Sequence, residues 1–239
     1  NTDYIDLYWL HAWDFTTPAD EVMRGLDDLI RAGKVLYIGI SDAPAWKIAQ
    51  LNTLAELMGW SRFIGLQIAY SLAERTPERD LMPMARELGL GVTPWSPLGS
   101  GVLTGKYGEA DLKRERELIE SGEADPFGSD QRIVGLNEQK LEIARTIQQV
   151  AKRTERSAAQ VAINWLMTRP GVTSPILGAR KLAQFEENLA ALDFTLDEQH
   201  LRELDNASAI ELGFPHDFIQ GPFVRQIVTG GASIETRMP

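Results

Sequence analysis

The chain has 239 residues, 44% of them hydrophobic, which suits one large or two small globular domains with ample material for a core. A net charge of −10 argues against nucleic-acid or anionic-membrane binding over a broad surface, but not against a local basic pocket for one small anion. With no cysteine, disulfides and thiolate metal sites are excluded; no apolar run approaches the roughly 20 residues that span a bilayer, and the first residues lack the form of a signal peptide, so a soluble, cytoplasmic protein without membrane contact is expected.

Residues 5–10 (Ile-Asp-Leu-Tyr-Trp-Leu) are almost wholly apolar and are followed by His11, the pattern of a parallel strand buried on both faces. Thr17-Pro18-Ala19-Asp20 then predicts a helix start, with Thr17 as cap and Asp20 closing a capping box. Val22, Leu26, Leu29 and Ile30 give that helix its apolar stripe, and Gly33 ends it. Residues 35–41 form the next strand, and a helix carrying Ile48, Leu51, Leu54 and Ala55 runs to Gly59. A third strand spans 63–70, a third helix 78–88, a fourth strand 92–95 and a fifth 174–177. Between them, residues 99–136 are glycine-rich and then highly charged, with the look of a long loop. Residues 137–168 read as two helices, the second boxed by Ser157 and Gln160. A helix carrying Phe185, Leu189 and Leu192 follows the fifth strand; Thr195-Leu196-Asp197-Glu198 caps another, and 212–239 is a tail without strong pattern. Strand-helix alternation with buried strands implies a parallel sheet with helices outside it.

In such folds the chemistry gathers at the C-terminal ends of the strands. Those ends carry His11, Ser41-Asp42, Gln67 with Tyr70-Ser71, Trp95-Ser96, and Gly178-Ala179-Arg180. Each has a structural alternative. His11 suits a core histidine bonded to a carbonyl, Ser41-Asp42 before Pro44 a helix cap, Trp95 packing, and Gly99-Ser100-Gly101 a plain turn; Arg180 suits a surface pair with Glu186 or Glu187. Gln67, inside the run Leu66-Gln67-Ile68, is harder to explain by packing, because a buried amide needs partners. Together these groups suit a nicotinamide dinucleotide: amides for the carboxamide, an aromatic for the ring, a glycine loop for the pyrophosphate and an arginine for a 2′-phosphate.

Four segments resemble the aldo-keto reductase family. Asp3–His11 is similar to its fourth strand, Gly33–Ser41 to its fifth, Gly91–Tyr107 to its seventh strand and cofactor loop, and Ser174–Leu192 (with Ile-Leu-Gly-Ala-Arg and Gln-Phe-Glu-Glu-Asn-Leu) to its eighth strand and following helix. The resemblance implies a partial (β/α)8 TIM barrel, an α/β fold of five parallel strands with outer helices, folded as a single domain over 1–239. It implies an NADP(H)-dependent oxidoreductase acting on a small aldehyde or ketone, with no metal. His11 would be catalytic, hydrogen-bonding the substrate carbonyl. Ser41, Asp42 and Gln67 would contact the nicotinamide carboxamide, and Trp95 would stack on the ring. Ser96, Leu98, Gly101 and Lys106 would line the pyrophosphate path. Gly178 and Arg180 would form the strand end at the 2′-phosphate, and Gln184, Glu187 and Asn188 would meet the adenosine. Asp42 stands where asparagine is frequent; aspartate accepts from the carboxamide NH2 but cannot donate to its oxygen.

The family's first three strands, which carry its catalytic aspartate, tyrosine and lysine, have no match here, so the chain reads as a truncated barrel that is inactive or weak alone. Tyr70 is the phenol nearest the expected mouth, without a matching lysine. The alternative is a dinucleotide-binding or self-associating half-barrel without catalysis. The unblunted edge of the 5–10 strand predicts a homodimer, or else a fold-back of 99–136 or 212–239 over the gap.

Overall fold

The computed structural model describes residues 2–121 and 135–232. The chain divides into two compact units. The first comprises Asn1–Ile68, Thr76–Thr93 and Ile210–Pro239; the second comprises Ala69–Arg75 and Pro94–Ala209.

Strand-helix alternation gives β1 (Ile5–His11), α1 (Ala19–Arg31), β2 (Val35–Ser41), α2 (Ala45–Met58), β3 (Phe63–Ala69), α3 (Leu81–Glu87) and β4 (Gly91–Trp95). The sheet order is β1-β2-β3-β4, with parallel pairing at β1–β2 and β2–β3. Val35, Ile38, Ile40, Phe63, Leu66 and Ile68 are buried, as parallel strands under helices should be. β1 is not buried on both faces as its composition suggests: it ends the sheet, and Ile5, Leu7 and Tyr8 are exposed. Trp9 lies across glycines of β2 and β3; a Cβ at Gly39 would stand 2.5 Å from the indole, and one at Gly65 2.9 Å. Glycine in these strands is thus the space the indole occupies.

Two buried polar side chains tie helices to the entry of β3. Asn52 of α2 donates to the Phe63 carbonyl (3.2 Å) and accepts from its amide (2.9 Å). Asp27 of α1 accepts from the amide and hydroxyl of Ser61 (2.8 and 3.0 Å) and from Arg31. Burial pushes the Asp27 carboxyl up, but these donors outweigh it and hold the group below its usual range.

Thr17 does not cap α1. The N-cap is Pro18, without a side-chain bond, and the Thr17 hydroxyl donates instead to Asp14 (2.6 Å). That hydroxyl, with the amides of Thr17 and Thr16, holds the Asp14 carboxyl far below the ordinary carboxylate range.

The second unit carries a tight turn at Gly99–Thr104, then α4 (Glu109–Glu120), α5 (Glu138–Thr154), α6 (Ala158–Met167), α7 (Leu182–Leu189) and α8 (Glu198–Ala207). The Ser157–Gln160 capping box forms, and Asp197 caps α8 through the His200 amide (2.8 Å). Ile147, Ile163, Trp165, Leu166 and Leu103 make the core. Buried Asn164 donates to the carbonyls of Ala191 (3.0 Å) and Phe194 (2.7 Å) and accepts from Leu196 (3.1 Å).

Two expectations change here. Among the described residues the sheet has four strands, not five: 174–177 makes one backbone bond, from Ile176 to the Pro94 carbonyl (2.8 Å). A ladder cannot continue because Pro94 has no N–H for the Ser174 carbonyl, and Ser96 turns left-handed (φ 52°). The stretch 99–136 is not simply a loop, since α4 occupies 109–120. Strong helix formers fill it, Asp111 closes its start by accepting from Gly108, and Leu112 packs with Val102, Leu136 and Leu141. Residues 122–134 of that stretch lie outside the described residues.

The tail, part of the first unit, forms α9 (His216–Gln220) and α10 (Pro222–Thr229), with Phe218, Ile219, Phe223, Ile227 and Val228 exposed. No helix among the described residues is long and apolar enough to cross a membrane.

Candidate functional site

In the first unit the register sets three residues in one row: His11 pairs with Ser41 across β1–β2, and Ser41 with Gln67 across β2–β3. His11 is largely exposed at the strand end, 3.6 Å through Nδ1 from Asp42 Oδ2. Asp42 has left-handed backbone (φ 49°), its amide bonded to the Gln67 carbonyl (3.4 Å) and its carbonyl to the Trp13 amide (3.4 Å). Positive φ at a non-glycine residue costs about 1 kcal/mol or more and gathers at functional positions. Ser41 and Asp42 do not cap α2, which starts after Pro44 without a side-chain cap. The Ser41 hydroxyl is buried with no hydrogen-bond partner. A native interior seldom leaves a hydroxyl so, and an amide-bearing ligand would satisfy it. Gln67 is half-buried beside it in the sheet.

In the second unit a cavity of about 1120 Å³ opens where β4 ends. It gathers Ser96, Leu98, Gly101, Lys106, Gly178, Arg180 and Gln184. The chain bends there by consecutive left-handed residues, Gly99 (φ 55°), Ser100 (54°) and Gly101 (89°). Gly101 is favoured by that φ, and a Cβ there would lie 2.8 Å from Lys106 Nζ, so the lysine end would have to move. Lys106 sits 4.7 Å from the Tyr107 ring centroid. Gln184 of α7 accepts from the Arg180 amide (3.1 Å), which fixes the start of that helix. Trp95, about a third exposed, precedes the cavity's first lining residue. Glu187 and Asn188, further along α7, are not among the lining residues; Asn188 is buried.

Arg114 of α4 also lines this cavity, and reading 99–136 as a loop missed it. Asp111, Arg114, Glu115 and Leu118 recur at helical spacing and present one face to the space. The two carboxylates are engaged with backbone: Asp111 with the Gly108 amide (2.9 Å), Glu115 with the Gly135 amide (3.0 Å). Among the described residues no carboxylate lies in ion-pair range of Lys106, Arg114 or Arg180. Arg180 does not pair with Glu186 or Glu187. Three cations converging on a chain of net charge −10 suit a ligand bearing several phosphate charges.

Tyr70, the phenol expected nearest the mouth, is buried and packs at 5.9 Å against Trp165. It offers no exposed acid. No group of three or more metal-ligating side chains occurs among the described residues.

A sequence profile described as "Aldo/keto reductase family" matches residues 1–209. Norsolorinic acid reductase of Aspergillus flavus is 35% identical over 219 residues, covering 91% of this chain and 52% of its own length. Aryl-alcohol dehydrogenase [NADP(+)] of Phanerodontia chrysosporium is 34% identical over 220 residues, covering 90% and 54%. Putative aryl-alcohol dehydrogenase AAD10 of Saccharomyces cerevisiae is 31% identical over 220 residues, covering 91% and 73%. The chain thus spans about half the length of the first two relatives and more of the third. With a profile match over most of its length, the chain belongs to the aldo/keto reductase family.

Proposed function

We propose that this chain carries the NADP(H)-binding part of an oxidoreductase that interconverts small aldehydes or ketones with alcohols. The observation that carries this reading is the convergence of Lys106, Arg114 and Arg180 on one cavity without carboxylate partners. Similarity to a relative whose name includes NADP(+) supports it.

In this reading the bound cofactor supplies hydride chemistry, and the chain's residues bind and orient. Lys106 and the turn at Gly101 take the pyrophosphate, Arg180 and Arg114 the 2′-phosphate, and Gln184 the adenosine side, with Glu187 and Asn188 further along the same helix outside the cavity lining. In the first unit Ser41 supplies a buried hydroxyl suited to a carboxamide, with Asp42 next to it and Gln67 beside it in the sheet; in the second unit Trp95, about a third exposed, suits stacking on a flat ring. His11 hydrogen-bonds the substrate oxygen.

Titration followed by tryptophan fluorescence tests the phosphate assignment. NADPH is expected to bind at least about tenfold more tightly than NADH, the value of one charge-assisted contact of roughly 1.5–3 kcal/mol. Arg180→Ala should remove most of that preference while changing NADH affinity little. Equal affinities for both cofactors in the unmutated chain would contradict the assignment.

A further inference from the structure

We infer that Asp42 fixes the tautomer of His11, so that the neutral imidazole offers its substrate side a lone pair rather than a proton. A neutral imidazole has one N–H and one bare nitrogen, and the neighbour of one nitrogen decides the role of the other. Here Nδ1 faces Asp42 Oδ2 at 3.6 Å. A carboxylate has only lone pairs to offer, so it favours N–H at Nδ1 and repels a bare nitrogen there.

The distance is slightly beyond a hydrogen bond, but the His11 side chain is 71% exposed and a small rotation of the ring closes it. Asp42 is the more fixed partner, with left-handed backbone bonded through both its amide and its carbonyl. Two other carboxylates lie near His11 in the chain. Asp14, next along the chain, is occupied by Thr16 and Thr17, and Asp6 points to the opposite face of β1. Among the described residues Asp42 is the carboxylate found in ion-pair range of His11.

The consequence deepens the proposed function and rests on it for what meets Nε2. Neutral His11 accepts a hydrogen bond at Nε2, so it recognises an alcohol hydroxyl. Only protonated His11, with both nitrogens carrying hydrogen, donates to a carbonyl. Asp42 is thus a positioning residue that sets whether His11 meets the substrate oxygen as an acceptor or as a donor. Asparagine at this place would impose no such choice, because its amide can either donate or accept.

The tautomer is measurable without any ligand, so it stands or falls separately from dinucleotide binding. Nitrogen-15 NMR on histidine-labelled protein at about pH 9, above the range in which histidines ordinarily titrate, reads which ring nitrogen carries hydrogen. The chain has three histidines, and the His11 signals are identified by their loss in His11→Gln. In the unmutated chain His11 is expected to be predominantly the Nδ1–H form, against the Nε2–H form that exposed histidines usually favour. In Asp42→Asn the majority should return to Nε2–H. Nε2–H as the main form in the unmutated chain would overturn the inference, as would an unchanged tautomer ratio in Asp42→Asn.

Discussion

Replacing Asp205 with alanine should destabilise the chain by about 3 kcal/mol. The indole N–H of Trp165, fully buried in α6, donates to Asp205 Oδ1 (2.9 Å). Arg169 donates to both carboxylate oxygens (2.9 and 3.1 Å), and Arg75 lies 3.6 Å from Oδ1 while donating to the Asp205 carbonyl and the Ser208 hydroxyl. The guanidiniums of Arg75 and Arg169 also lie within reach of the Trp165 ring, at 5.3 and 4.7 Å respectively. Alanine would leave a buried N–H without an acceptor, take the carboxylate from largely buried Arg169 and remove one charged contact of largely buried Arg75. A fully buried broken pair costs about 3–5 kcal/mol; the lower end applies because the Asp205 side chain is 32% exposed. Asp205→Asn, which keeps the acceptor but not the charge, should lose about half as much. Urea denaturation read by tryptophan fluorescence measures both, and a loss below about 1 kcal/mol for the alanine variant would show that the network is dispensable.

The second large effect is on catalysis. The 239-residue chain purified alone should not reach ordinary turnover on aldehydes or ketones, meaning about 1 s⁻¹ or more. A reduced carbonyl oxygen needs a proton from a positioned acid, typically worth about 10²–10⁴-fold. We infer that none of the chain's five tyrosines supplies that proton. Tyr70 is buried against Trp165, and Tyr107 lies under Lys106 in the phosphate-suited cavity. NADPH oxidation with a panel of aromatic and aliphatic carbonyls decides the matter. Robust turnover that disappears in His11→Ala would show that another group in this chain supplies the proton.

What the sequence made legible was mostly local. Alternating strands and helices announce themselves through apolar runs and glycine stops, and the Ser157–Gln160 box forms because its bonds span three residues. The row His11–Ser41–Gln67 was readable because parallel strands bring their ends to one side. Longer-range competition was not readable. Thr17 has two uses for its hydroxyl, and Asp14 won it from the helix. Residues 174–177 have strand composition, but Pro94 on the neighbouring strand lacks the donor a ladder needs. α4 was hidden by its charge: Leu112 is its one buried side chain, so the usual apolar stripe is missing, and Arg114 was missed with it. The burial of a strand depends on its neighbours, so β1 reads as core and stands at an edge.

The central claim is that the second unit's cavity receives the phosphates of NADP(H). Amide hydrogen exchange with adenosine 2′,5′-bisphosphate tests it most directly, since this ligand carries the 2′-phosphate and no reactive ring. Exchange should slow at 96–106 and 178–184, where the turn, Lys106 and Arg180 line the cavity. The effect should be clearly weaker with adenosine 5′-monophosphate, which lacks the group assigned to Arg180. Equal protection by the two ligands, or protection that falls outside these segments, would contradict the account.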